Sequence, residues 1–515
     1  MSFFDIATVD VHDNGKFPFP REILALDDLF GVLTLSVPRV EMVNQPLFLF
    51  FTVDITGSMS EPGARGGSKK IDYVIQTLKN MFIYLLKLPI SVRICVNTFH
   101  ESVDVFIPPT ELSDTGVVAE ILRKVENIET SGSTNIELAL KTAREQLVSY
   151  AEDYPDHQLC HLFMTDGEAT DGDRNPDQLS SLVDENYPMI CVGYGLKHNV
   201  ELLRKLGSHP NAEYQFVDNM ENTTLVYGES IHQFLYPALR NIKIEIYGGK
   251  IYHWKTDSWV DVLEETMFAG ETTKKYHLRC IDPHHLRVSI SAVQIDSGVA
   301  RTIELAVREI DGIDLTNYIY RQRVQEILAS SQTEDNVVRS LISKKEIRAL
   351  FRSLREYMRE KSLTQDPFLK TLCDDLFVMY STMDQKYGLM YTVARQTSQG
   401  RQQTYNISSP PPLAPAYSRP MLRRTQTGPQ YAPTEYIDNM EAFLKETYDT
   451  NLSLIHPDTL DNLEATMLEI SKKRPFLNNE DDIENYNTNP EAKFTCYATP
   501  SIVNTVQSME SSLTL

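Results

Sequence analysis

The chain has 515 residues, with 49 Lys and Arg against 71 Asp and Glu, a net charge of −22, 42% apolar residues and 23% charged ones. That length corresponds to roughly three or four domains, and the composition excludes collagen-like, coiled-coil and wholly disordered chains. The acidic excess argues against a nucleic-acid binder, which needs a basic patch to meet phosphate.

The start, Met1-Ser2-Phe3-Phe4-Asp5, has neither the basic region nor the apolar run of a secretory leader. No stretch reaches the roughly 18–20 apolar residues that span a bilayer. The six cysteines (Cys95, Cys160, Cys191, Cys280, Cys373, Cys496) form no C-x-x-C pair and no Cys/His cluster, which excludes structural zinc. Cys95 and Cys191 sit inside apolar runs and read as buried small hydrophobes. The expectation is an intracellular, cytoplasmic protein with no transmembrane segment.

Residues 1–45 read as an N-terminal arm whose run Val32–Val37 supplies one strand to a later sheet. From 46 to 239, short β-rich runs alternate with helical stretches, the mark of an α/β, doubly wound, mostly parallel sheet. The strand runs are Leu47–Val53, Val92–Phe99, Gln158–Thr165, Met189–Tyr194 and Tyr214–Val217, and the helical ones Ile71–Leu86 and Ile136–Tyr150. Val103–Ile107 reads as an antiparallel edge strand.

Residues 240–312 change to strict alternation (Ile242/Ile244/Ile246, Leu286/Val288/Ile290, Ile303/Leu305/Val307) around a Gly248-Gly249 turn, and so predict a small antiparallel β domain. Residues 313–394 are helical, with the stripe Ile347, Leu350, Phe351, Leu354, Tyr357, Met358 and a second helix from Pro367 to Met383. Residues 395–434 hold five Arg, no acid and seven prolines, and read as a disordered linker. The tail, 435–515, carries fifteen acids against five bases, a helix-like stretch Pro433–Tyr448 and the cluster Glu480-Asp481-Asp482; partial disorder is expected.

Chemistry concentrates at Asp54-Ile55-Thr56-Gly57-Ser58, directly after the apolar run Leu47–Val53. In a parallel sheet, ligands bind beyond the carboxyl ends of the strands, and this loop lies there. Two more segments end at the same edge: Ser131-Gly132-Ser133-Thr134-Asn135, and the strand that finishes on Asp166-Gly167. Hydroxyls and two carboxylates, without imidazole or thiolate, suit a small hard cation, Mg²⁺ or Mn²⁺. These residues resemble the von Willebrand factor type A domain and its metal-ion-dependent adhesion site. The resemblance places Asp54, Thr56 and Ser58 on the family's D-x-S-x-S loop, Thr134 on its second loop and Asp166 on its third, with Thr56 replacing the first serine.

It implies a Mg²⁺ or Mn²⁺ ion on those five residues and a protein partner whose Glu or Asp completes the coordination, hence a metal-dependent binding scaffold with no catalytic residue. The chain beyond the domain resembles the C-terminal module of relatives that carry a Hint segment or a RING finger. RING relatives are ubiquitin ligases, but about 45 residues without a cysteine precede the domain here, so that activity is not carried over. An enzyme or accessory subunit (ligase-related, or a Mg²⁺-assisted hydrolase) and a protein whose metal serves only stability are the alternatives. A hydrolase would need a base, and the sequence brings neither His100 nor His161 to the metal edge.

Other motifs read as ordinary structure. Asp114-Thr115-Gly116 and Asp296-Ser297-Gly298 fall in different domains, as a helix cap and a hairpin turn and not as an aspartic-protease dyad. Asp171–Asp177 lacks the glycine and glutamate of a calcium loop. Lys344, Arg348, Arg352, Arg355 and Arg359 read as a solvated face. Trp254 and Trp259 read as β-domain core.

Overall fold

The computed structural model describes residues 3–12, 28–42, 44–62, 69–195, 198–217, 223–308, 311–331, 337–383, 388–402, 483, 486 and 497–511. The chain divides into two compact units, Met1–Ser409 with Thr488–Leu515, and Pro410–Asn487. Every strand and helix below belongs to the first.

The strands β3 (Leu47–Asp54), β4 (Val92–Phe99), β5 (Val103–Glu111), β6 (Gln158–Thr165), β7 (Met189–Tyr194) and β8 (Ala212–Val217) form a six-stranded sheet ordered β5-β4-β3-β6-β7-β8. All pairs are parallel except the β5 edge. β3 is buried at every residue, as a strand covered on both faces must be, and this explains an apolar run that only Thr52 interrupts before Asp54. Helices α1 (Lys70–Leu86), α2 (Thr115–Val125), α3 (Ile136–Asp153), α4 (Pro176–Ser180), α5 (Val200–Leu206) and α6 (Thr223–Leu235) connect or flank the strands. The chain places β4 on one side of β3 and β6 on the other, so a crevice opens where the strand order reverses, beyond the ends of β3 and β6.

Two antiparallel sheets follow. β1 (Ile6–Val11) and β2 (Leu29–Ser36) join β13 (Thr273–Cys280), β10 (Gly249–His253) and β11 (Ser258–Val260). The other sheet is β12 (Val262–Ala269), β9 (Pro237–Tyr247), β14 (Arg287–Gln294) and β15 (Ala300–Ala306). Val9, Leu33 and Leu278 from one sheet share a core with Ile244, Val288 and Ile290 from the other, so this part is a sandwich. The N-terminal arm contributes two strands, not one, because Ile6–Val11 pairs with β2 in register. Gly248 has φ +75°, and a Cβ there would stand 2.5 Å from the His285 carbonyl oxygen, so the turn requires glycine.

Helices α7 (Thr316–Ser330), α8 (Val337–Glu360), α9 (Pro367–Thr382) and α10 (Gly388–Arg401) complete the helical part. Asp366 caps α9 by accepting from the Leu369 amide at 2.9 Å, with Pro367 in the first turn. The expected linker starts later than its composition suggests. Residues 395–401 are the end of α10, where Arg395, 1% exposed, pairs with the buried Asp375 at 3.2 Å and Gln399 packs beside it. The Arg and Pro residues beyond 402, the stretch 433–448 and Glu480-Asp481-Asp482 lie outside the described residues. The basic stripe on α8 is only partly a solvated face, with Arg359 exposed. Arg348, Arg352 and Arg355 are half-buried, and Lys344 sits over the Tyr380 ring at 5.3 Å.

One helix has no counterpart in the sequence reading. α11 (Pro500–Ser511) returns to lie on α6 and α1. Ile502, Val506 and Met509, spaced i, i+4, i+7, are buried, and Met509 joins the core of the six-stranded sheet. A Cβ on Gly228 would stand 2.7 Å from Val506 Cγ2, so α6 needs glycine where the helices touch. Ser501 anchors the start, its Oγ 2.9 Å from His232 Nε2 and its amide donating to Glu271 at 3.2 Å. Among the described residues no helix is long and apolar enough to cross a membrane.

Candidate metal centre

The register of the parallel sheet brings the two carboxylates together. Val53 pairs with Met164, so Asp54 at the end of β3 lies level with Thr165, one residue before Asp166. Thr165 Oγ1 donates to Asp54 Oδ2 at 2.6 Å, and the Thr56 amide donates to Asp54 Oδ1 at 2.9 Å. Ser58 Oγ donates to Asp166 Oδ1 at 2.7 Å and lies 3.1 Å from Thr56 Oγ1. Both carboxylates are 0% exposed. Burial, and next the nearby Asp166 charge, push Asp54 up to about 6, against the opposing hydrogen bonds from Thr165 and Thr56.

Backbone bonds lock the three loops. The first loop turns through a short 3-10 segment, Gly57–Ser60, pinned by the fully buried Met59. It joins the second loop through Ser131 N to Ile55 O at 2.8 Å and Gly57 N to Gly132 O at 3.3 Å. Thr134 is clamped by the segment after Asp166: its amide donates to Thr170 Oγ1 at 2.8 Å, and its carbonyl accepts from the Thr170 and Asp171 amides at 2.9 and 3.0 Å. Asn135 then caps α3, accepting from Leu138 N at 3.0 Å. A Cβ on Gly167 would stand 3.6 Å from both Ser58 Oγ and Thr134 Oγ1, which places these two hydroxyls around one small space.

All five predicted residues, Asp54, Thr56, Ser58, Thr134 and Asp166, therefore converge at one edge. Among the described residues no group of three or more His, Cys, Asp or Glu side chains is arranged to hold a metal. Two carboxylates and three hydroxyls form a different donor set, of hard oxygen, which fits Mg²⁺ or Mn²⁺. The closeness of the Asp166 carboxylate, which adds to the rise of Asp54 that burial begins, is also a charge arrangement that a cation relieves.

Three polar groups at this edge were absent from the sequence reading. Thr165 holds Asp54, and its place at the end of a buried apolar strand was a usable signal. Lys70, first residue of α1, puts its ammonium 2.5 Å from Asp166 Oδ2. Glu101 accepts from the Ser133 amide at 3.1 Å and packs against Gly132, whose φ of +79° suits glycine. His100 follows β4 at the same edge, but its Nδ1 accepts from the Ser102 amide at 3.1 Å. His161 is buried mid-strand against Thr52 Oγ1 at 2.9 Å, and burial pushes it down to about 3. Of the calcium-like loop, Asp171 and Asp173 accept from the Gly172 and Asn175 amides, at 2.9 and 2.8 Å.

A parallel α/β sheet with a three-loop hydroxyl and carboxylate site at its switch point defines the class. Residues 49–228 match the von Willebrand factor type A domain, and the chain carries a domain of that family. The fold is similar to that of a von Willebrand factor type A protein from Catenulispora acidiphila, at 13% identity and TM-score 0.50, over 77% of this chain and 97% of that one. It also aligns with the ArnB paralog VWA2 from Sulfolobus acidocaldarius, at 13% identity and TM-score 0.46, over 77% and 98% of the two chains. A third alignment is to proximal thread matrix protein 1 from the mussel byssus, described with a zinc-occupied MIDAS motif, at 19% identity and TM-score 0.29, over 36% and 48%. No curated protein sequence matches the chain.

Proposed function

We propose that this protein is a divalent-metal-dependent protein-binding scaffold. Asp54, Thr56, Ser58, Thr134 and Asp166 would hold Mg²⁺ or Mn²⁺, and a Glu or Asp of a protein partner would complete the coordination. The ion supplies an electrophilic centre for that carboxylate; the chain's own residues supply the rigid frame around it. The observation that carries this reading is the pair of fully buried carboxylates with hydroxyls at 2.6–2.7 Å from each. No side chain is assigned a catalytic role. The five described cysteines are free and buried, which favours an encounter in a reducing, cytoplasmic setting.

The test uses the purified full chain. Mn²⁺ binding followed by electron paramagnetic resonance, and capture of a partner in Mg²⁺, are both expected to disappear in Asp54→Ala, with capture also lost in chelator. Capture that persists undiminished in chelator and in Asp54→Ala would overturn the proposal. Turnover of a substrate by the pure protein would instead support the enzyme alternative.

A further inference from the structure

Lys70 is a charged residue almost wholly withdrawn from solvent, its side chain 8% exposed. Its ammonium lies 2.5 Å from Asp166 Oδ2, 3.4 Å from Glu61 Oε2 and 3.4 Å from the Ser58 carbonyl oxygen. An ammonium has three N–H donors, and these three acceptors account for them. Two of the acceptors belong to residues of the candidate metal site, and the third, Glu61, follows its first loop. The placement is fixed by sequence: Lys70 opens α1, its own amide donates to the Glu61 carbonyl at 3.0 Å, and the Lys69 amide donates to Asp72 at 2.8 Å.

We propose that Lys70 is a tethered cation that competes with the divalent ion for the Asp166 carboxylate and so sets how weakly the bare ion binds. The inference rests on the metal-binding reading of this site. Asp54 and Asp166 carry two negative charges when ionised, enough to neutralise a divalent ion alone. Lys70 takes one of the two before any ion arrives, and with the ion present the group carries one positive charge in excess. Glu61 offsets little of that, because its side chain is 43% exposed and water screens it. An ion entering this site therefore either displaces the ammonium from Asp166 or binds against its repulsion, and both lower its affinity.

Mn²⁺ alone is the probe, titrated into the full chain and followed by electron paramagnetic resonance for wild type, Lys70→Met and Lys70→Arg. Lys70→Met keeps length and apolar stem and removes the charge, and is expected to bind Mn²⁺ at least about tenfold more tightly. Lys70→Arg keeps the charge and is expected to stay within about threefold of wild type. Thermal melting supplies a second readout. In chelator Lys70→Met should melt below wild type, because Asp166 loses its buried partner, and in saturating Mn²⁺ that gap should close. Mn²⁺ affinity equal in wild type and Lys70→Met, or a melting gap of the same size in chelator and Mn²⁺, would overturn the inference while leaving the metal site standing. Absence of Mn²⁺ binding in wild type and both variants would overturn the metal-binding reading and this inference with it. If Lys70→Met does not fold, Lys70→Gln replaces it in both measurements.

Discussion

The six-stranded sheet and the sandwich solve the same burial problem in different ways, and only one of them gathers chemistry. In the first, β3, β6 and β7 are buried along nearly their whole length, so apart from the internal pair of Thr52 and His161 their polar groups gather where strands end. Five neighbouring strands run parallel, and their carboxyl ends share one edge. Asp54 and Asp166 arrive there from adjacent strands. In the sandwich, β15 alternates half-buried with exposed residues, and antiparallel neighbours send their ends in opposite directions. Its acids disperse into separate pairs, such as Lys274 with Glu265 at 3.0 Å and Lys250 with Asp261 at 3.2 Å. Strand direction, more than the number of acids, makes a site.

Core truncation should give the largest contrast. Phe51→Ala, at a fully buried position of β3, is expected to cost about 3–5 kcal/mol in urea denaturation, and Ile303→Ala on the half-wet β15 under about 2. Equal losses would break the distinction between a sheet covered on both faces and one covered on a single face.

Acidification should reach both regions next. Burial first of all pushes His161 down to about 3, and His198 and His232 to about 4, in and around the six-stranded sheet, and it pushes His277 of β13 well down in the sandwich. The unfolded chain protonates these histidines below about pH 6.5 while the folded one does not, so the unfolded state binds more protons. The contribution of these histidines is therefore full above pH 6.5 and is lost as pH drops toward 4, by at most about 1.4 kcal/mol per unit for each. Asp54 and Asp375, raised by burial to about 6, act in the opposite sense. His161→Gln should flatten that limb. An acid limb that ignores His161→Gln would remove this histidine from the account.

The two Asp-x-Gly triplets give the smallest contrast. Asp114 Oδ1 accepts from the Gly116 and Val117 amides at 2.8 and 3.0 Å as the cap of α2, and Asp114→Ala should cost about 1 kcal/mol. Asp296, in the turn before Gly298, should cost less than about 0.5 kcal/mol on replacement by Ala. Thermal melting of the two variants side by side resolves the ranking.

Much of this was legible because period and punctuation agree locally. Leu47–Val53 announces a doubly covered strand, and Ile242/Ile244/Ile246 a singly covered one. The metal loop was legible because its donors are spaced by two beside a glycine. What escaped depends on distant partners. Lys70 reads as one more surface lysine until α1 is packed beside β6. Arg395 reads as linker until Asp375 faces it. Ile502, Val506 and Met509 form too short a stripe to stand out from the polar tail, and their significance lies in Gly228, far away in the chain.

That last contact has a consequence for synthesis. The core around β3 and α1 is closed by Met509, more than 400 residues after β3 leaves the ribosome. Until then the face of α6 around Gly228, which meets Val506 in the folded chain, stays uncovered. Removing Pro500–Ser511 would therefore bare apolar surface on α1 and α6.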